Sequence, residues 1–486
     1  MRSACARLVS LGVCAAWLGA CSPGDEHPAA ARSPGLVAAR VAELETIVAR
    51  DVPPAASDVG ASASLRARVE RIAATNGEVR GALLAEMAAL GDAAVPRLVA
   101  LISDPSADDG LLVAALDALA AVDTPHASAV LAGFVESSPR AFLRARAAFE
   151  LGRMRHDHVV VRLLARIPHE SDAEAAIWIA DTLGRFGNWA GVDGLLALAR
   201  RGHAGARARL DELARDAGFD DPEALVRAWK RGDPDRRLRD VAPSSRLRLE
   251  VWRAIAALGG DDARAARTAH FALGHSSTWA TEPLCQALAD ADARIRAGVA
   301  SALRDMGPRA RTAGVALMRA LDDAVTRSAV LEALGAIGHP PALARIVQEL
   351  DRHENDARVR ASAARALGSL ALPAAIPPLT SAIEADEPRE VRHAAALALA
   401  ELDRARDAAP VLAEALTAND ADAAAAEAAL ERWLTSDSPT DGNLRTLLAA
   451  WKALDEPPGI RPDAASVAQR RAERAELVRE ALGSGD

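Results

Sequence analysis

Four stretches decide the fold: EMAALGD (86–92), DALAAVD (117–123), FELGRMR (149–155) and DTLGRFG (181–187). They place Met87, Leu119, Leu151 and Leu183 at intervals of 32 residues. The series resumes at Leu273, Leu303, Leu334, Leu367, Leu399 and Leu430, with steps of 30 to 33. A period of this size means one supersecondary unit repeated, because a single unit cannot bury its apolar face alone. Each unit reads as two helices, so the expected fold is all-α, an α-solenoid of about ten to twelve helical hairpins. Solenoids present extended surfaces to partners, and the pattern by itself demands no chemistry.

Composition agrees. The 486 residues are 50% hydrophobic but only 3% aromatic, with no Tyr. Much of the apolar content is Ala, which has high helix propensity and lets helices approach closely. Lysine occurs only at Lys230 and Lys452, so Arg carries the positive charge. The formal net charge of −9 argues against nonspecific nucleic-acid binding, which rests on a basic surface.

The N-terminus reads as a targeting segment. Arg2 and Arg7 give a positive start, and residues 8–20 form an apolar run too short for a transmembrane helix. It ends Leu18-Gly19-Ala20-Cys21. This resembles the bacterial lipobox, which implies cleavage before Cys21 and lipidation of its thiol. Such lipoproteins usually carry three acyl chains, and stable anchoring needs more than one. Ser22 stands where an inner-membrane retention signal usually has Asp. The resemblance therefore implies a lipid-anchored protein of the cell envelope, at the outer membrane and facing the periplasm. Cys5 and Cys14 leave with the signal, so Cys285 remains alone and no internal disulfide forms.

The expected organisation is a signal peptide (1–20), a lipidated tether with a short helix (21–64), a first repeat module (65–232), a charged connector (233–260), a second module with a C-terminal cap (261–453), and a linker with a charged C-terminal helix (454–486). Val37, Val41, Leu44 and Val48 fall on one stripe of the short helix near 35–50. The period fails between 203 and 260, and Ala228-Trp229-Lys230 parallels Ala450-Trp451-Lys452 as a closing element of each module.

The units DARIRAGVASALRDMG (292–307) and DARVRASAARALGSLA (356–371) resemble HEAT repeats, in particular the short bacterial class also seen in phycobilin lyases. The chain is thereby identified as resembling a bacterial HEAT-repeat lipoprotein. An arginine lies seven positions before the marker leucine at Arg296, Arg327, Arg360 and Arg392, and earlier at Arg80 and Arg144. Asp292, Asp323 and Asp356 precede it by four positions and suit helix capping. In HEAT proteins such residues form a ladder joining successive units; the other reading is a row that binds an anionic partner.

The sequence carries no recognisable catalytic constellation. HEAT-type deoxyhypusine hydroxylases bind two irons through His-Glu pairs on helices; here the helix histidines read His270-Phe271 and His393-Ala394, while His169-Glu170 and His353-Glu354 sit in turns. His156-Asp157-His158 reads as a polar turn, since a metal site needs three or four converging ligands. The expectation is no catalytic residues, no cofactor and no metal. Arg236, Arg237 and Arg239 form the strongest basic cluster and a possible docking patch, diluted by Asp233, Asp235 and Asp240. Trp178, Trp252 and Trp433 fall in helix patterns and read as core. The functional expectation is a noncatalytic scaffold that binds a protein partner, meets the membrane through its N-terminal lipid and does not bind nucleic acid, with the concave face, lined by the second helices, as the partner surface. The alternatives are an accessory subunit of an envelope enzyme complex, or a HEAT-type lyase or metal-dependent enzyme.

Overall fold

A computed structural model describes residues 35–50, 62–230, 243–384, 386–417, 421–437, 442–455 and 464–483. The marker residues are the centre of the packing: Met87, Leu119, Leu151, Leu183, Leu273, Leu303, Leu334, Leu367, Leu399 and Leu430 are each at most 1% exposed. Each lies on the longer helix of a pair, starting with Gly77–Leu90, Asp109–Val122, Ala141–Met154 and Ala173–Arg185. A shorter helix follows each, as in Val95–Ile102, Pro125–Ser137, Val160–Arg166 and Trp189–Arg200. Five pairs in the first run and six in the second make eleven among the described residues, and the chain is an α-solenoid. Short polar side chains start many of the helices. Asp108 accepts from the Leu111 amide, Asp172 from Ala175 and Asp292 from Arg294, satisfying amides that the first turn leaves unpaired.

The two layers pack differently. Successive longer helices lie directly against one another along both runs, whereas successive shorter helices touch much less, except Pro125–Ser137 and Val160–Arg166, which Arg162 joins through Glu136 and the Ala129 carbonyl. A stack that is tight in one layer and splayed in the other bends toward the tight layer. The inner, concave face therefore belongs to the longer helices, and the expectation that the second helices line it is corrected.

Glycine produces the tight layer. The marker leucine is followed by Gly at Gly152, Gly184, Gly274, Gly335 and Gly368. A Cβ on Gly335 would stand 2.7 Å from Ala366 Cα, and one on Gly368 2.8 Å from Ala398 Cα. These are backbone contacts with the next repeat, so the helices would have to part. Gly335→Ala is expected to destabilise by about 1–2 kcal/mol, overpacking outweighing the better helix propensity of Ala. Gly81 also lies within a longer helix, but a Cβ there meets nothing within 4 Å. Gly81→Ala should stabilise by about 0.5–1 kcal/mol. Urea midpoints of the two variants moving in the same direction would remove this account of the layer.

The runs are not separated by a plain connector. Within the stretch read as charged connector, Ser245–Leu258 is a helix that buries Leu247, Val251, Trp252, Ile255 and Leu258. It is an unpaired helix that lies outside the repeat register, so the leucine period does not announce it. It packs on Val160–Arg166, on the preceding turn and on Ala263–Gly274. Ser244, its cap, donates through its amide to Asp157 Oδ2 at 2.9 Å and through its hydroxyl to Asp157 Oδ1. The second run thus starts on the outer side of the first, and one hydrophobic core extends through both. Helices from Trp189 to Lys230 continue the first run past this junction around a small core of their own, with Leu195, Leu210, Leu213 and Leu225.

The first and last described helices are docked. Leu36–Arg50 lies on Ser245–Leu258, with the Val37 amide donating to buried Asp290 at 3.0 Å and Arg253 donating to Glu45 at 2.9 Å. The C-terminal helix Ala464–Gly483 folds back on Ala405–Leu416 and Gly442–Ala453 and closes the second run. Its buried Arg474 pairs with Glu427 and Asp455 and stands 4.5 Å over the ring of fully buried Trp451. Trp451 therefore lies beneath the cap rather than forming it.

Candidate functional site

The same 32-residue register that buries the leucines places Asp117, Phe149 and Asp181 in one row, Arg146 and Trp178 in a second, and Arg153 and Arg185 in a third. Within Ala141–Met154, Arg146, Phe149, Glu150 and Arg153 share one face by helical spacing. Trp178, Asp181 and Arg185 do so on Ala173–Arg185, and Arg209 and Glu212 on Ala204–Asp216. The close inner layer joins these faces into one strip.

Ion pairs run along the strip in two groups, from Arg80 to Arg153 and from Asp181 to Glu212, and an aromatic pair joins them. Arg80 and Arg146 both reach Asp117, the latter through Nε at 2.9 Å. Arg146 and Arg153 pair with Glu150 at 2.8 and 2.9 Å. Arg185 donates to Asp181 at 2.8 Å and to Glu212 at 2.9 Å, and Arg209 reaches Glu212 at 2.7 Å. Phe149 and Trp178 meet edge to face at 4.9 Å across the repeat boundary. Arg146 stands 5.0 Å from the Phe149 ring and Arg209 5.4 Å from the Trp178 ring, within cation–π range.

Charge is layered by depth. The side chains of Asp117, Glu150 and Asp181 are 6%, 1% and 3% exposed, while Arg146, Arg153, Arg185 and Arg209 are 31%, 66%, 25% and 32% exposed. A partner therefore meets guanidinium groups and aromatic rings, with the acids beneath. Burial raises the Glu150 carboxyl above its ordinary value against the pull of Arg146, and burial does the same to Asp181 against Arg185. The inner face of the second run carries Phe271 at its first position in the corresponding row, stacked on His275 at 4.0 Å, and turns polar further along, where Arg304 donates to Glu332 at 3.0 Å and Ser362 to Glu332 at 3.1 Å.

The strip was not singled out from the sequence, and Trp178, read as core, stands on it half-buried; Trp252 and Trp433 are buried. The signal was available in the 32-residue register of charged and aromatic positions, which the search for leucines passed over.

The arginines of the expected ladder lie between repeats. Arg296 donates to Asp323 at 2.8 Å and to the carbonyls of Asp290 and Ala291. Arg360 reaches Leu350 O and pairs with Glu387, both at 2.7 Å. Arg327 donates to Leu321 O and to Asn355, and buried Glu349 supplies the carboxylate at 3.7 Å. Arg392 pairs with Glu414. Arg144 forms a bidentate pair with Glu170, both bonds 2.7 Å. Arg144, Arg296, Arg327 and Arg360 share a pattern, carbonyls at the end of the preceding helix and then an acceptor at the approach to the next repeat, whereas the Glu414 partner of Arg392 lies on Ala405–Leu416, the shorter helix of its own pair. Asp323 departs from its expected capping role, since it binds Thr326 and Arg296 in the turn and Thr326 stands at the cap position.

The histidine candidates do not converge. His156 bonds Asp123, Asp157 bonds Ser244 and His158 bonds Ser128. His270 contacts Ser301, and His169 contacts Thr268. Among the described residues no three His, Cys, Asp or Glu are placed to hold a metal, and no helix is long and apolar enough to cross a membrane. Leu18, Gly19, Ala20, Cys21, Arg236, Arg237 and Arg239 lie outside the described residues.

Two family comparisons address this repeat geometry. Residues 343–431 match HEAT repeats, and residues 326–352 match the PBS lyase HEAT-like repeat. They support reading the chain as a HEAT-repeat protein. Comparison with curated proteins gives no match. Among solved structures, human deoxyhypusine hydroxylase in complex with glycerol is 18% identical, with a TM-score of 0.22, over 67% of this chain and 99% of that one. An engineered protein is 17% identical, with a TM-score of 0.27, over 90% and 99%. Kap121p is 12% identical, with a TM-score of 0.32, over 87% of this chain and 50% of its own. The fold assignment rests on the helix pairs above, not on these superpositions.

Proposed function

We propose that the chain is a noncatalytic, lipid-anchored scaffold of the periplasm that binds a protein partner along the inner face of its first run. One observation carries the binding surface: the continuous strip from Arg80 to Glu212, with Phe149 and Trp178 at its centre. Trp and Arg dominate the energetics of protein interfaces when they cluster in the middle of a patch. The anchor rests on Leu18-Gly19-Ala20-Cys21, and the outer membrane is its destination by the residue that follows.

Crosslinking in intact envelopes, followed by purification from membranes, is expected to capture a partner with the wild-type chain and not with Trp178→Ala. Capture of the same partner by both would remove the strip from the proposal. Cys21→Ala is expected to abolish lipid labelling and release the protein from the membrane fraction; labelling that persists in this variant would refute the anchor.

A further inference from the structure

We infer that the strip takes an extended acidic peptide segment of a partner protein, its carboxylates landing on successive repeats and an apolar side chain between them meeting Phe149 and Trp178. This rests on the scaffold reading and adds the chemistry of the partner.

Accessible charge is the first argument. The exposed groups are the guanidiniums of Arg146, Arg153, Arg185 and Arg209, and their own acids are covered except for Glu212, which is 32% exposed. A guanidinium carries five N–H donors in a planar fork. Arg153 donates to Glu150 through Nη1, and Arg209 reaches Glu212 through Nη1. The remaining N–H groups of these two suit the bidentate recognition of a further carboxylate.

Preorganisation is the second. Side chains already held by buried acids lose less freedom on binding, which raises affinity without added contacts. The edge-to-face pair of Phe149 and Trp178 adds a rigid apolar platform at a low entropic cost.

Spacing is the third. Packed helices lie about 8–10 Å apart, and an extended peptide advances about 3.3 Å per residue, so one partner carboxylate per repeat recurs about every third residue. The five inner helices from Arg80 to Glu212 are then spanned by about twelve residues. A nucleic-acid strand fits less well. It carries a phosphate at every residue and would lie over the acids of the strip, on a chain whose net charge is −9.

The test is selection of a random peptide library, about twelve residues long, on the full-length chain purified in detergent. Enriched peptides are then measured by fluorescence anisotropy. The expected winners are net negative, with Asp or Glu about three residues apart and an apolar residue between. Their affinity should weaken about tenfold or more in Trp178→Ala and in Arg153→Gln/Arg209→Gln. It should also fall as salt is raised. The arginine variant changes exposed side chains and keeps the test valid if Trp178→Ala does not fold. Neutral or basic winners lost in these variants would overturn the acidic class and leave the scaffold surface standing. Winners insensitive to both variants, or no winners, would overturn the strip as a peptide site. A labelled oligothymidine that binds more tightly than the peptides would overturn the choice of partner.

Discussion

Arg144→Ala is expected to destabilise the chain by about 3 kcal/mol, the low end for removing one partner of a buried ion pair. Arg144 is 7% exposed, and the Glu170 side chain is fully enclosed. Two parallel 2.7 Å bonds join them, and Arg144 Nη1 also donates to Ser138 O at 2.9 Å. Alanine leaves that carbonyl and part of the carboxylate without partners. The loss is held to the low end because Glu170 keeps Arg166 and the Asp172 amide, both at 2.9 Å. Arg140→Ala is the control. Arg140 also bridges two repeats, to Asp109 at 3.2 Å, but the two side chains are 41% and 73% exposed, so its loss should cost less than about 1 kcal/mol. Urea unfolding decides between them: similar shifts in both variants would mean that burial is not what gives the ladder its strength. The same pair carries an acid signature. Burial pushes the Glu170 carboxyl up, but hydrogen bonds from Arg144, Asp172 and Arg166 outweigh it and hold the group at about 2. Its stabilisation is present above the ordinary value of 4.5 and is lost as pH falls toward 2.

The solenoid was legible because its signal is periodic. Every marker leucine sits at the same depth in the same kind of helix, and the ladder arginines other than Arg327, which starts its helix, lie one turn into it, so one correct unit fixes the others. The junction was not legible, because nothing local in Ser245–Leu258 states which surface it covers. Its arginines and its position after a charged stretch masked Leu247, Val251, Trp252 and Ile255, which are buried against Val160–Arg166 from another repeat. The direction of curvature was misassigned for a related reason. Gly335 and Gly368 read as helix punctuation in one dimension; only the distance to Ala366 and Ala398 shows that they let the longer helices close up.

The candidate site was half legible. Its residue types were visible and its register was computable, but Trp178 on an amphipathic helix reads as core by hydrophobicity alone. What moves it outward is the company it keeps: Arg209 stands over its ring, and Asp181, three residues on, sits beneath Arg185. The structure buries Asp117 and Glu150 under arginine. Layering by depth is a property of packing, and no spacing rule announces it.

Lowering the pH from about 6.5 to about 4 is expected to remove about 3 kcal/mol of stability through His158 alone. His158 is 6% exposed, in the short turn Asp157–Val159 where the second run joins the first. Its ring lies 3.3 Å from Ser128 Oγ on one side, and the neighbouring Asp157 is held by Ser244 on the other. Burial lowers its pKa from 6.5 to about 4; His156, Arg246 and Arg162 add to the effect, and Asp157 opposes it. The folded state keeps the ring neutral while the unfolded chain protonates it near 6.5, so unfolding takes up a proton between the two values. Stability from this group is complete above about 6.5 and is lost as pH falls to about 4, below which both states are protonated. Glu150 and Asp181 act in the opposite sense, because their raised carboxyl pKa values favour the fold as pH falls. The wild-type profile is therefore a sum, and the difference between wild type and His158→Gln isolates the histidine. Stability measured by urea unfolding across this range should drop less steeply in the variant, the wild-type-minus-variant difference falling by about 3 kcal/mol from the neutral to the acid end. Parallel curves would show that the junction admits a protonated His158 without cost, and the acid sensitivity of the joint would have to lie elsewhere.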